Sequence, residues 1–208
     1  MNNTALIMID MQKGFLNPAS PCYIAGAAAT VPACAKVIRH CRENRIPVFF
    51  VTRRYRADGS DVEHTRFAAW REGGKPVSPA CPDAIGMDDP EEFGTDPSDY
   101  RVFKPRFSAF FQTELDGMLR RLGIRTVVLA GTTTPNCIRT SCYDAISLEY
   151  NVAVLTDCTS SATEEIQRSN LRDMENIGAQ LISGADWMAG APINDSAAEV
   201  QRLVQKGI

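Results

Sequence analysis

Seven residues, GTTTPNC from Gly131 to Cys137, close one apolar run and open a helical pattern, setting a thiol at a strand-to-helix junction. A helix N-terminus leaves backbone N–H groups unpaired and carries about half a positive charge, so a thiolate there is expected to be favoured over a free thiol of pKa ~8.5. Thr134 as N-cap and Pro135 at the first helical position place Cys137 in the first turn, among donors that can also hold an oxyanion. Two more ionisable residues end strand-like runs: Asp10 finishes LIMID and Lys104 finishes RVFK. Brought into one crevice, the carboxylate can take the thiol proton as general base, the ammonium favours both ionised forms, and the sulfur becomes a nucleophile.

The chain has seven cysteines and only two histidines. Cys34 and Cys41 fall on an apolar helical stripe with Val31, Val37 and Ile38, and Cys142 shares a helix side with Ile138, Ala145 and Ile146, so these three read as core. Cys22, Cys81 and Cys158 lie in loops or at strand ends without an evident basic partner and read as structural. His40 on the polar side of a helix and His64 in a long loop read as surface residues, so a carboxylate is the better candidate base.

These residues need elements to position them. Apolar runs at residues 6–9, 47–52, 101–103, 126–130, 152–155 and 179–182 read as strands, several apolar on both faces as buried parallel strands are. Helical patterns lie between them: 32–44, a helix capped by Ser108 with Phe111, Leu115, Met118, Leu119 and Leu122 on one face and ended by Gly123, and 163–177. A short amphipathic piece at 197–204 reads as a surface helix or a docking arm. The alternation implies a parallel sheet covered by helices on both sides, with ligands expected beyond the carboxyl ends of the strands. Residues 53–99 break the rhythm with a connection far longer than the usual ~4 to 6 residues, the kind that shapes a binding site or an interface.

At 208 residues and 44% hydrophobic composition the chain is expected to form one domain, residues 1–208. The odd cysteine count, the absence of CxxC and HxxxH, and an N-terminus unlike a secretory signal indicate a reduced, cytoplasmic protein. With a net charge of −3 and scattered basic residues, neither nucleic acid nor membrane is an expected partner. A small molecule is.

Three ordered segments, LIMIDMQKGF, KPRFSAFFQTELDGMLRRLGI and VVLAGTTTPNCIRTSCYDAISLEYNVAVLTDCTSS, resemble the isochorismatase-like cysteine hydrolases. Within that family the resemblance points toward the N-carbamoylsarcosine amidase and ureido-amidohydrolase branch. It implies a three-layer α/β/α Rossmann-like fold with a mainly parallel six-stranded sheet ordered 3-2-1-4-5-6, a catalytic triad of Asp10, Lys104 and Cys137, and homodimers or homotetramers. It further implies a non-proline cis peptide between Thr132 and Thr133 that turns the Thr133 N–H beside that of Cys137 as an oxyanion hole. The implied reaction is hydrolysis of a small amide, carbamoyl or ureido compound through a thioester, without a cofactor. Gln12 and Phe15 match crevice positions of the family, and Trp70 is a candidate wall over a flat substrate.

The sequence departs from the nicotinamidase pattern just after the second strand, where TRRYRADGSD places Arg54 and Arg56 at the positions of the acidic and imidazole metal ligands. A guanidinium cannot ligate a metal, so no metal site is expected; Arg54 instead suits a carboxylate or several carbonyl oxygens of a substrate. Two other functions are compatible with the residues: vinyl-ether hydrolysis of the isochorismatase type, which does not use this cysteine, and a thiol-based redox or binding role for Cys137.

Overall fold

The computed structural model describes residues 3–82 and 85–205. Short runs rich in Val, Ile, Leu and Phe form six strands: β1 (Thr4–Ile9), β2 (Val48–Arg53), β3 (Tyr100–Lys104), β4 (Thr126–Thr132), β5 (Asn151–Ser160) and β6 (Gln180–Ile182). Every pairing is parallel, in the order β3-β2-β1-β4-β5-β6. The helices are α1 (Lys13–Leu16), α2 (Ala27–Glu43), α3 (Phe67–Glu72), α4 (Leu115–Arg121), α5 (Arg139–Ser147), α6 (Glu164–Asn176), α7 (Gly184–Met188) and α8 (Ala197–Gln205).

Period-two alternation divides the sheet between two cores. Ile7, Ile9, Phe49, Val51, Val127 and Leu129 face one side, where Leu115 and Leu119 of α4, Cys142 and Ala145 of α5 and Met174 of α6 cover them. Leu6, Met8, Val48, Phe50, Val128 and Ala130 face the other, against Val31, Cys34, Val37, Ile38 and Cys41 of α2 and Trp187 of α7. The three-layer α/β/α architecture and strand order are those implied by the sequence, and the assignments of Cys34, Cys41 and Cys142 to the core hold. No helix among the described residues is long and apolar enough to cross a membrane.

Several boundaries differ for local reasons. Helix α2 begins at Ala27, before the expected Pro32, because the alanine-rich AAAT segment is itself a strong helix former; Pro32 lies exposed inside the helix. The helix expected from Ser108 does not start until Leu115. Ser108 Oγ accepts from Phe110 N at 3.1 Å, Ala109 N is taken by Ser141 Oγ at 2.8 Å, and Gln112 has φ 55°, so the chain turns before it winds. Phe111 and Leu122 are exposed in consequence. Strand β5 runs on through Asp157–Ser160, with its register against β4 shifting between Leu129 and Gly131.

Among the described residues of 54–99, Tyr55, Val62, Trp70 and Val77 make a small core of their own. This segment sits at the carboxyl ends of the strands, where the register also gathers the chemistry: Ile9 stands opposite Val51 and Gly131, and Arg53 opposite Lys104.

Gly131 is where β4 comes closest to β1. Its φ is +117°, and a Cβ there would lie 2.0 Å from Ile9 O, against backbone that cannot yield. Gly117, inside α4, has nothing within 4 Å of a built Cβ. Gly131→Ala is therefore expected to lose on the order of 3 kcal/mol or to fail to fold, whereas Gly117→Ala gains about 0.5–1 kcal/mol by helix propensity. Denaturant unfolding of the pair checks this; equal stabilities would contradict the close-approach argument.

Candidate active site

Strand alternation carries Lys104 inward. In β3, Val102 and Lys104 are buried while Arg101 and Phe103 are exposed, so the ammonium enters the protein beneath the crevice. It is fully buried, donating to Arg106 O at 3.0 Å and Phe107 O at 2.9 Å, and pairing with Asp10 Oδ2 at 2.8 Å. Asp10, 1% exposed, follows the last residue of β1 with φ 52°, a conformation Asp tolerates better than most residues. Neither of its carboxylate oxygens receives a hydrogen bond of good geometry among the described residues. The contact with Lys104 is therefore chiefly one of charge, and acceptor capacity is left over.

Cys137 lies in a single π-helical turn, Thr134–Ile138, between β4 and α5. The turn begins after the Thr132–Thr133 peptide, which is cis. Thr134 does not cap it: Thr134 Oγ1 donates to Ser160 O at 3.0 Å, Thr133 Oγ1 to the same carbonyl at 3.3 Å, and Ser160 Oγ to Thr132 Oγ1 at 3.0 Å. The end of β5 thus braces the loop. From the other side Ser141 Oγ donates to Cys137 O at 2.6 Å while accepting from Ala109 N.

The expectation that Cys137 rests as a thiolate is reversed. Burial pushes its pKa up to about 11, the charge of Asp10 adds to the rise, and Lys104 and Arg53 oppose it without prevailing. Desolvation of the anion outweighs the cations because the sulfur is almost wholly buried. The charges of Asp10 and Lys104 both bear on the thiol, and the two are themselves paired at 2.8 Å, so acid, amine and sulfur are neighbours.

The sulfur opens into a cavity of about 210 Å³ lined by Phe15, Cys22, Arg53, Tyr55, Arg66, Phe107, Thr133 and Asn136, among others. At ~30 Å³ per water this is room for about seven waters, which fits a small substrate. Phe15 is where the sequence placed it. Arg54 is not: it points away, over the ring of Phe103 at 4.9 Å and into an outer hollow of about 530 Å³ that contains none of the triad. Arg56 is exposed and pairs with Asp58. The inward arginine is Arg53, because Phe49, Val51 and Arg53 share the face of β2 that Ile9 occupies on β1, and Arg54 necessarily takes the opposite one.

Gln12 is fully buried and spent on backbone. It donates to Arg53 O at 3.0 Å and Met87 O at 3.2 Å and accepts from Arg53 N at 2.8 Å, so it holds Arg53 instead of lining the cavity. Trp70 lies one layer behind, edge-on to Tyr55 at 6.1 Å with its indole N–H on Pro76 O at 3.0 Å, and lines an adjoining cavity of about 180 Å³.

Residues that sequence reasoning passed over make up the rest of the wall. Arg53 is nearly inaccessible and is gripped by Tyr55 Oη, from Nε at 3.0 Å, and by Glu63 through Nη2. Tyr55 Oη in turn donates to Glu63 Oε2 at 2.7 Å. For Glu63, burial works to raise the carboxyl pKa but is outweighed by the Tyr55 hydrogen bond and the Arg53 charge, leaving it below the ordinary value. Cys22, read as structural, borders the cavity; burial raises its thiol pKa against the pull of Arg66 and Arg53.

The α/β fold thus places a carboxylate, an ammonium and a cysteine at the carboxyl ends of β1, β3 and β4. The chain belongs to the isochorismatase family, whose domain model matches residues 4–186. It is 37% identical to a probable inactive nicotinamidase of Arabidopsis thaliana, over 89% of this chain and 94% of that one. It is 29% identical to a maleamate amidohydrolase of Pseudomonas putida (88% and 84%) and 28% identical to a ureidoacrylate amidohydrolase of Azorhizobium caulinodans (90% and 89%). Among solved structures, an isochorismatase family protein of Desulfovibrio vulgaris superposes with TM-score 0.82 at 36% identity, covering 89% of this chain and 96% of that one. An N-carbamoylsarcosine amidase of Thermoplasma acidophilum superposes with TM-score 0.70 at 26% identity, covering 87% and 96%.

Two outcomes follow from this geometry. Lys104→Met leaves Asp10 as an uncompensated buried charge and is expected to cost ~3–5 kcal/mol, part of which Asp10→Asn in the same chain restores; unfolding free energies of the three variants check it, and additive losses would oppose it. Iodoacetamide alkylation of Cys137, followed site by site by mass spectrometry, is expected to keep accelerating above pH 9 toward about 11, with no plateau near neutrality. The folded state binds this proton more tightly than the unfolded chain. The associated stability is intact below the ordinary thiol pKa of 9.0 and is lost as pH rises through about 11.

Proposed function

We propose that the chain is a metal-independent cysteine amidohydrolase that cleaves a C–N bond of a small amide, carbamoyl or ureido compound. One observation carries the reading: the Cys137 thiol opens on a cavity of about 210 Å³, and the buried Asp10–Lys104 pair lies behind it, close enough for both charges to bear on the sulfur. The two amidohydrolase relatives, named for acids that bear an amide or ureido group, support the same class.

In the proposed cycle Asp10 removes the Cys137 proton as the substrate carbonyl arrives, so the anion forms only when an electrophile can take up its charge. The sulfur adds to the carbonyl carbon, and the N–H groups of Thr133 and Cys137 hold the oxyanion. Protonated Asp10 then gives its proton to the leaving nitrogen as the C–N bond breaks, releasing ammonia or an amine and leaving a thioester. Water attacks the thioester, its proton passing to Asp10, and the acid departs as the sulfur is reprotonated. Lys104, committed to two carbonyls, stays in place as a fixed charge that keeps Asp10 available. A redox role is less well supported, since a thiol held at about 11 presents little thiolate to an oxidant at neutral pH.

Ammonia release from a set of maleamate-like and ureido acids is the direct test. Cys137→Ala and Asp10→Asn are each expected to reduce kcat by at least ~10³-fold. A quenched reaction should show Cys137 carrying the acyl mass, and a chelator should leave the rate unchanged. Full activity in Cys137→Ala would end the proposal.

A further inference from the structure

We infer that Arg66 is the residue that selects the substrate, by binding a carboxylate at the mouth of the cavity while the scissile carbonyl rests on Cys137. The inference rests on the amidohydrolase reading above and narrows its substrate class to small monoanionic acids.

The charges around the cavity lead there. Two cations, Lys104 and Arg53, and two anions, Asp10 and Glu63, lie in or against its walls, and each is committed: Lys104 to Asp10, Arg53 to Glu63 and Tyr55. Those four sum to zero. Arg66 is the remaining guanidinium on the lining, and among the described residues it has neither an ion pair nor a side-chain hydrogen bond. It lies over the ring of Phe107, its Cζ 5.4 Å from the centroid, while Arg53 stacks on the same ring at 4.8 Å.

Stacking on Phe107 costs Arg66 no hydrogen-bond donor, so the planar fork is held in orientation with its N–H groups unspent. The ring belongs to the segment whose carbonyls bind Lys104, so the site that orients Arg66 is tied to the one that holds Asp10. Arg53 cannot serve equally well, since Nε and Nη2 are already bonded to Tyr55 and Glu63. A neutral amide leaves the exposed Arg66 with only the longer-range charge of Glu63, whereas an anionic one offers its fork a bidentate partner.

The test uses matched pairs: maleamate with maleamide, and ureido acids of increasing length with their primary amides. Each pair differs in one carboxylate. Wild type is expected to prefer the anion in kcat/KM, and Arg66→Gln to shrink that preference by about 10- to 150-fold, as for loss of a charged hydrogen-bonded pair. The loss should fall mainly on KM, and Arg66→Lys should retain part of the preference. Binding is measured separately by calorimetry in Cys137→Ala, with and without Arg66→Gln. If the anion binds through Arg66 but nothing turns over in wild type, the carboxylate site stands and the amidohydrolase reading fails. If amides are hydrolysed but anion and neutral partner are treated alike, or the preference survives Arg66→Gln, the inference is overturned and the reaction class is not. Failure of every pair to bind also overturns it.

Discussion

The ion pair between Lys104 and Asp10 is the constraint on which the site depends. Both side chains are removed from water, at a desolvation cost of several kcal/mol per ion that mutual attraction offsets only with further hydrogen bonds. Lys104 obtains them from the carbonyls of Arg106 and Phe107, which fixes the course of the chain after β3. Asp10 obtains none of good geometry, so one partner is satisfied and the other is left able to accept a proton. That asymmetry is suited to a base next to a thiol whose own ionisation is suppressed by burial. Resting stability and readiness to react come from the same arrangement.

Holding three such groups together takes backbone features that ordinary strands and helices do not provide. Asp10 turns at positive φ off β1, Gly131 lets β4 pass against Ile9, and the π-helical turn after the cis peptide lifts Cys137 toward both. The turn is secured from two sides, by β5 through Ser160 and by α5 through Ser141, and Asp10 by β2 through the bond from its N to Val51 O at 3.0 Å. The site therefore assembles only when strands β1 to β5 and helix α5 are all in place.

Much of this was legible in the residues, and the parts that were not share a cause. Strand identity could be read because buried parallel strands are apolar on both faces, and an ionisable residue at the end of one is conspicuous, as Asp10 and Lys104 are; strand order came from the resemblance to the family. The start of α4 was misplaced because tertiary bonds, Ala109 to Ser141 above all, override the local helical pattern. The state of the Cys137 thiol was misjudged because helix position is visible in sequence and desolvation is not. Arg54 was preferred to Arg53 by counting along a family pattern, although the alternation of Phe49, Val51 and Arg53 already pointed inward. Tyr55, Glu63 and Arg66 carried no readable signal, since a segment without periodicity does not disclose which of its polar residues will turn to the interior.

The long segment between β2 and β3 is more than a covering. Tyr55 and Trp70 belong at once to its small core and to the walls of the two adjoining cavities, so the shape of the binding space depends on how well that core packs. Change within the segment can therefore alter what fits without removing the hydrogen bonds that hold Lys104 and Cys137, which come from Arg106, Phe107 and Ser141, outside the segment. This division is consistent with a family whose members include a maleamate amidohydrolase and a ureidoacrylate amidohydrolase. On the sheet side lie the acid, the amine and the sulfur; on the segment side two arginines stack on Phe107, Arg53 buried and committed to Glu63, Arg66 exposed at the mouth.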